Sequence, residues 1–147
     1  MGNFITTEHL KFSYTEEGDR EIPALDDVSI GIQDGEYVAI LGHNGSGKST
    51  LIQHLNGLLR ASSGAIYYNG ENIYQDGYDM KALRSKVGLV FQYPEHQLFE
   101  VDVFSDVCFG PKNQGLSKEE VEARAREALI QVGQAGVDLP DGILTMD

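Results

Sequence analysis

Residues 42–50 read GHNGSGKST, directly after the apolar run YVAIL (37–41) and directly before the helix-like LIQHLNGLL (51–59). Gly42, Gly47, Lys48 and Ser49 meet the spacing G-x-x-x-x-G-K-[ST], flanked by the strand and helix that a phosphate-binding loop requires. A polyphosphate needs many short-range donors and no side-chain wall. Gly42, Gly45 and Gly47 can take positive φ and turn backbone N–H groups inward as an anion nest, lined also by His43, Asn44 and Ser46. The following helix adds its unpaired N–H groups and dipole. Lys48 then reaches the β- and γ-phosphates of a nucleotide such as ATP, and the Ser49 hydroxyl is placed to ligate Mg²⁺. Thr50 borders the nucleotide site and also reads as an ordinary helix residue.

The rest of the composition narrows the function class. The chain has 147 residues, 41% of them hydrophobic, enough for one domain with a real core. A formal net charge of -12 opposes non-specific nucleic-acid binding, which depends on clustered Lys and Arg. There is no basic-then-apolar start, and the apolar runs are too short for a spanning helix, so a cytoplasmic chain is expected. The single cysteine, Cys108 in DVCFG, has no internal disulfide partner and reads as a small buried hydrophobe.

Leu10, Phe12 and Tyr14 alternate as in a strand. The charged TEEGDRE (15–21) reads as a hairpin loop before a second strand at Val28, Ile30 and Ile32. Asp34-Gly35 turns the chain into EYVAIL (36–41), whose continuous apolar character predicts a strand buried on both faces. Leu51, Ile52, Leu55, Leu58 and Leu59 lie on one face of a helix ended by ASSG (61–64). AIYY (65–68) and NIYQ (72–75) flank Asn69-Gly70, a hairpin signal and the sign of a β subdomain. DMKALRSK (79–86) predicts a short helix leading to a second apolar strand, VGLVFQ (87–92). VDVFSDVCFG (101–110) reads as helical, broken by Pro111 to Gly115. Ser117 and Glu120 form a capping box for a helix with Val121, Ala125, Ala128, Leu129 and Val132 on its apolar face and Gly133 as its stop. The tail 134–147 carries no periodic reading and is expected to be divergent or truncated.

FSY (12–14), VFQYPEHQLF (90–99) and DVCFGPKNQGLSKEEV (106–121), together with the loop, resemble the ATP-binding cassette of energy-coupling factor importers, close to the cobalt and vitamin transport ATPases. The resemblance runs from about Phe4 to Val132. It implies an α/β fold, a P-loop NTPase of the cassette type with an antiparallel β subdomain, incomplete at the C-terminus, with residues 1–133 as the N-terminal part of the cassette. From the residues alone Tyr14 reads equally well as an edge-strand tyrosine. The resemblance implies that its ring stacks on adenine. Gln92 alone is a polar residue at a strand end. The resemblance implies that it contacts Mg²⁺ or the attacking water, for which an amide has both an acceptor and donors. With Lys48 it is the candidate catalytic residue. Glu95 and His96 read as solvated loop residues near a transmission interface, and His43 and His54 as variable positions rather than a metal pair.

The family hydrolyses ATP between two cassettes, and the resemblance implies a second cassette ATPase, identical or paralogous, as a partner. A transmembrane coupling subunit and a substrate-binding membrane subunit are implied with it, on the cytoplasmic face of the cell membrane. The chain contains no LSGGQ-like segment, no apolar strand ending in Asp-Glu and no later switch histidine, and ILTMD (143–147) imitates that strand only superficially. Three readings follow: a transport ATPase represented by an incomplete chain, a nucleotide-binding remnant without hydrolysis, and another P-loop class such as a small kinase or GTPase, which no sequence feature supports.

Overall fold

In the computed structural model, residues 4–91, 98 and 100–132 are described. They fall into two compact units, Met1–Leu89 and Val90–Asp147.

In the first unit, β1 (Ile5–Glu16) and β2 (Arg20–Ile32) form the expected antiparallel hairpin, from Ile5 opposite Ile32 to Glu16 opposite Arg20. The strands take up most of the charged stretch, leaving residues 17–19 as the connection, where Gly18 and Asp19 both have positive φ. The pairing of β1 with β2 shifts register three times, between Thr7 and Leu10, Leu10 and Phe12, and Phe12 and Ser13. Ile5, Thr7 and Leu10 are buried, and the first shift lies around His9, whose φ is 49°. A bulge of this kind moves the following side chains to the opposite face, which brings Leu10 into the core. Buried Thr7 closes the irregularity: its Oγ1 donates to the Val28 carbonyl at 3.1 Å and accepts from the Ile30 N–H at 3.0 Å.

β3 (Ser63–Tyr68) pairs with the other edge of β1, and β4 (Glu71–Asn72) with β3, giving the order β2-β1-β3-β4. β3 passes so close to the bulge that a Cβ on Gly64 would lie 2.5 Å from the Glu8 carbonyl oxygen, so only glycine fits there. Asn69 and Gly70 both take positive φ, as a two-residue hairpin turn demands. α1 (Lys48–Leu55) and α2 (Met80–Lys86) contribute Leu51 and Leu83 to a core with Leu10, Leu25, Ile66 and Ile73. Asp79 starts α2 by accepting from the Ala82 N–H at 3.0 Å. α1 is shorter than its apolar pattern suggests: Gly57, with φ 76°, ends it, and Leu58 is 47% exposed.

Two expected strands are absent. Residues 36–43 and 88–91 carry no strand, and Tyr37, Leu41 and Val90 are exposed. An apolar run becomes a central parallel strand only when neighbours pair with both of its edges. Among the described residues nothing pairs with either run.

The second unit is helical. α3 (Val103–Asn113) is capped by Asp102, which accepts from the Ser105 N–H at 2.8 Å and from its hydroxyl at 2.9 Å. Pro111 lies inside α3 rather than breaking it. Its fixed φ suits a helix, and near the C-terminal end only one ladder bond is lost. α4 (Lys118–Gln131) begins at Ser117, whose Oγ accepts from the Glu120 N–H at 3.3 Å. Val121, Ala125 and Leu129 are buried as expected, whereas Ala128 and Val132 are exposed. Cys108 packs with Val121 and Ala125, and burial pushes its thiol above the ordinary cysteine range. Gly133 and the tail 134–147 lie outside the described residues.

Candidate functional site

The loop of residues 42–47 leads straight into α1, with Gly47 as the N-cap. Gly47 has φ 93°, and a Cβ there would lie 2.5 Å from the Ala24 carbonyl oxygen of β2. The end of the loop is therefore pressed against the sheet, which glycine alone allows. Gly45 also has positive φ. Gly42 does not, contrary to expectation. Its need is for space, because a Cβ would lie 2.6 Å from Ser46 Oγ.

No side chain caps α1, and its first turn contains no acidic residue. Its leading N–H groups are thus available to an anion, aided by the helix dipole. The Lys48 side chain curls back over the loop. Its Nζ donates to the carbonyls of Gly42 and His43, the latter at 2.8 Å, and to Ser46 Oγ at 3.3 Å. No carboxylate pairs with this ammonium among the described residues. In a chain of net charge -12, that leaves an ammonium held by loop carbonyls in a glycine-rich loop with no carboxylate partner among the described residues. His43 Nδ1 donates to the Asn44 carbonyl at 2.9 Å, and a turn joins the Ser46 N–H to the His43 carbonyl at 3.2 Å.

Ser49 lies exposed on the first turn of α1, whereas Thr50 is buried. Thr50 Oγ1 is 2.9 Å from the hydroxyl of Tyr14, which is 41% exposed near the end of β1. The structure therefore brings Tyr14 to the helix that carries Lys48 and Ser49. Sequence reasoning missed His54. It is fully buried, and its Nδ1 donates to the Thr50 carbonyl at 2.7 Å. Burial holds this imidazole below the ordinary histidine pKa, the opposing pull of the Thr50 carbonyl being the smaller effect. The available signal was position: His54 is three residues after buried Leu51, on the packed face of α1. Gln92, Glu95 and His96 lie outside the described residues.

A family model described as ABC transporter matches residues 25–142. The chain belongs to the ABC transporter family. Among its curated relatives, the energy-coupling factor transporter ATP-binding protein EcfA2 of Caldanaerobacter subterraneus subsp. tengcongensis is 54% identical over 129 residues, covering 88% of this chain and 45% of the relative. The protein of the same name from Clostridium acetobutylicum is 47% identical over 137 residues, covering 93% and 48%. Among solved structures, cbiO1 from Clostridium perfringens, part of the ABC transporter complex cbiONQ, superposes with a TM-score of 0.72 at 38% identity over 90% of this chain and 51% of that one. The cassette MJ0796, in a dimeric post-hydrolysis state bound to ADP and Pi, gives 0.68 at 26% identity over 86% and 56%. The chain spans about half the length of the curated relatives it matches. As an ABC transporter chain it has the α/β fold of the ATP-binding cassette, and its sheet is the antiparallel β subdomain.

The residues fit a magnesium-bound nucleotide better than a free metal ion. No group of three or more His, Cys, Asp or Glu that could hold a metal exists among the described residues. A hard cation takes oxygen ligands, and the exposed Ser49 hydroxyl is of that type for one that arrives with phosphate oxygens. Nor, among the described residues, is any helix long and apolar enough to cross a membrane.

Proposed function

We propose that this chain is the N-terminal part of an ATP-binding, ATP-hydrolysing subunit of an energy-coupling factor importer, powering uptake of a micronutrient such as a vitamin or a cobalt or nickel ion. The observation that carries the reading is the Lys48 ammonium, held at the centre of the loop without a carboxylate partner among the described residues. The names and identities of the relatives support the transport assignment, and the likeness to cbiO1 supports the type of complex.

In this reading residues 1–133 form the cassette's N-terminal part, and 134–147 are a divergent or truncated tail. Gly42, His43, Asn44, Gly45, Ser46 and Gly47 wrap the phosphates, Lys48 neutralises the β- and γ-oxygens, and the N-terminus of α1 adds N–H donors. Ser49 and Gln92 would hold Mg²⁺ through their side-chain oxygens, and the ion would supply charge withdrawal from the phosphoryl group. Thr50 supports the site from the first turn of α1, and Tyr14 offers its ring to adenine. The chain's contribution to hydrolysis is positioning and charge stabilisation, completed by a second cassette, identical or paralogous. A transmembrane coupling subunit and a substrate-binding membrane subunit receive the motion through residues 92–99. Attachment to the cytoplasmic face of the membrane is through these subunits.

Steady-state ATP turnover of the chain in its membrane complex tests the proposal. The native complex is expected to turn over ATP and the complex with Lys48→Ala is expected to be inactive. Nucleotide binding without turnover by the native complex would reduce the chain to a nucleotide-binding module.

A further inference from the structure

Four side chains from β1 and α1 close into a ring. The Tyr14 hydroxyl meets Thr50 Oγ1 at 2.9 Å, and the Thr50 backbone carbonyl accepts a hydrogen bond from His54 Nδ1 at 2.7 Å. The His54 imidazole then packs edge to face on Phe12, with centroids 4.8 Å apart at 74°. Phe12 packs in the same way on Tyr14, at 4.9 Å and 88°. His54 is 0% exposed, and its Nε2 has no hydrogen-bond partner among the described residues. Such an atom costs free energy that a leucine at the same place would avoid. A buried histidine with one nitrogen used and one orphaned is therefore explained by what the used nitrogen and the ring face hold in place.

We propose that His54 is a positioning residue for nucleotide-base recognition, fixing the Tyr14 ring relative to the phosphate loop through Phe12 on one side and Thr50 on the other. The inference rests on the nucleotide reading of the loop. His54 itself touches no ligand. It ties the end of β1 to the first turn of α1, so that the base platform and the phosphate donors are presented at a fixed spacing. Pre-organisation of this kind lowers the ordering cost of binding without adding a contact. The two halves of the ring are separable by substitution. His54→Phe keeps an aromatic face for Phe12 and removes the donor to Thr50, whereas His54→Asn keeps an N–H donor and removes the ring.

The test compares two ligands by calorimetry on the full chain in its complex: ATP with Mg²⁺, and inorganic tripolyphosphate with Mg²⁺, which has no base. His54→Phe is expected to weaken ATP by about fivefold, the worth of one net hydrogen bond, while tripolyphosphate stays within about twofold. Phe12→Leu, which removes the ring that joins His54 to Tyr14, is expected to show the same ATP-selective loss, so the test does not hang on one variant folding. In a Tyr14→Ala background, His54→Phe is expected to add no further loss, because its effect passes through Tyr14. Equal weakening of both ligands, or an undiminished effect of His54→Phe without Tyr14, would make His54 a general structural residue and overturn the proposal. Native chain that binds tripolyphosphate and ATP equally well would also overturn it. Native chain that binds neither would remove the nucleotide reading itself, and this inference with it.

Discussion

The Tyr14 hydroxyl on β1 stands 2.9 Å from Thr50 Oγ1 on α1, joining two residues 36 positions apart in the sequence. An aromatic offered only as a flat face for a base would not need its hydroxyl. Tyr14→Phe is accordingly expected to lower stability by about 1 kcal/mol, the net worth of one hydrogen bond. Chemical denaturation checks this, and a Tyr14→Phe chain as stable as the native one would show that the contact contributes nothing.

Gly47 and Gly45 both have positive φ, yet their surroundings differ. A methyl group at Gly45 meets nothing within 4 Å, while one at Gly47 meets the Ala24 carbonyl oxygen at 2.5 Å. Gly45→Ala should cost only the strain of its backbone conformation, about 1–2 kcal/mol, and Gly47→Ala clearly more, because the loop must also leave the sheet. Urea midpoints for the two variants should fall in that order, and the reverse order would contradict the packing of the loop end on β2.

His54 gives the first unit a pH dependence whose sign is fixed by burial. Its folded pKa is lowered, so the unfolded chain takes up the proton first as pH falls. The stability from the neutral imidazole is complete above the unfolded value of about 6.5 and is lost as pH drops through the folded value. Melting temperatures across this range should fall more steeply for the native chain than for His54→Phe. Parallel curves would mean that His54 is not the group that titrates.

Leu83 on α2 is 2% exposed in the core of the first unit, and Leu58, just past α1, is 47% exposed. Leu83→Ala should cost about 2–5 kcal/mol, and Leu58→Ala well under half as much. Similar losses at both positions would require Leu58 to be covered in solution.

What was legible in the sequence was local. The Asn69-Gly70 turn and the capped start of α4 are each specified by residues within a few positions of one another, and each forms where expected, while the β1–β2 hairpin forms with its connection cut to residues 17–19. The loop of residues 42–47 was legible as a glycine-rich turn ahead of a helix for the same local reason, since its glycines and the lysine and serine that follow are contiguous. The runs at 36–41 and 88–91 carry no strand because apolar character specifies burial only when partner strands are present. The bulge at His9 and the Tyr14–Thr50 contact were invisible because both depend on a neighbouring element rather than on local pattern. His54 carried only a faint sign, a polar residue on an apolar helix face.

The central claim, that residues 42–50 bind the phosphates of a nucleotide, is tested most directly by calorimetric titration of ATP with Mg²⁺ into the native chain and into Lys48→Ala. The account predicts saturable one-site binding by the native chain and no measurable binding by the variant, because removing Lys48 takes away the ammonium at the loop's centre. Equal affinity in both, or none in either, would contradict it.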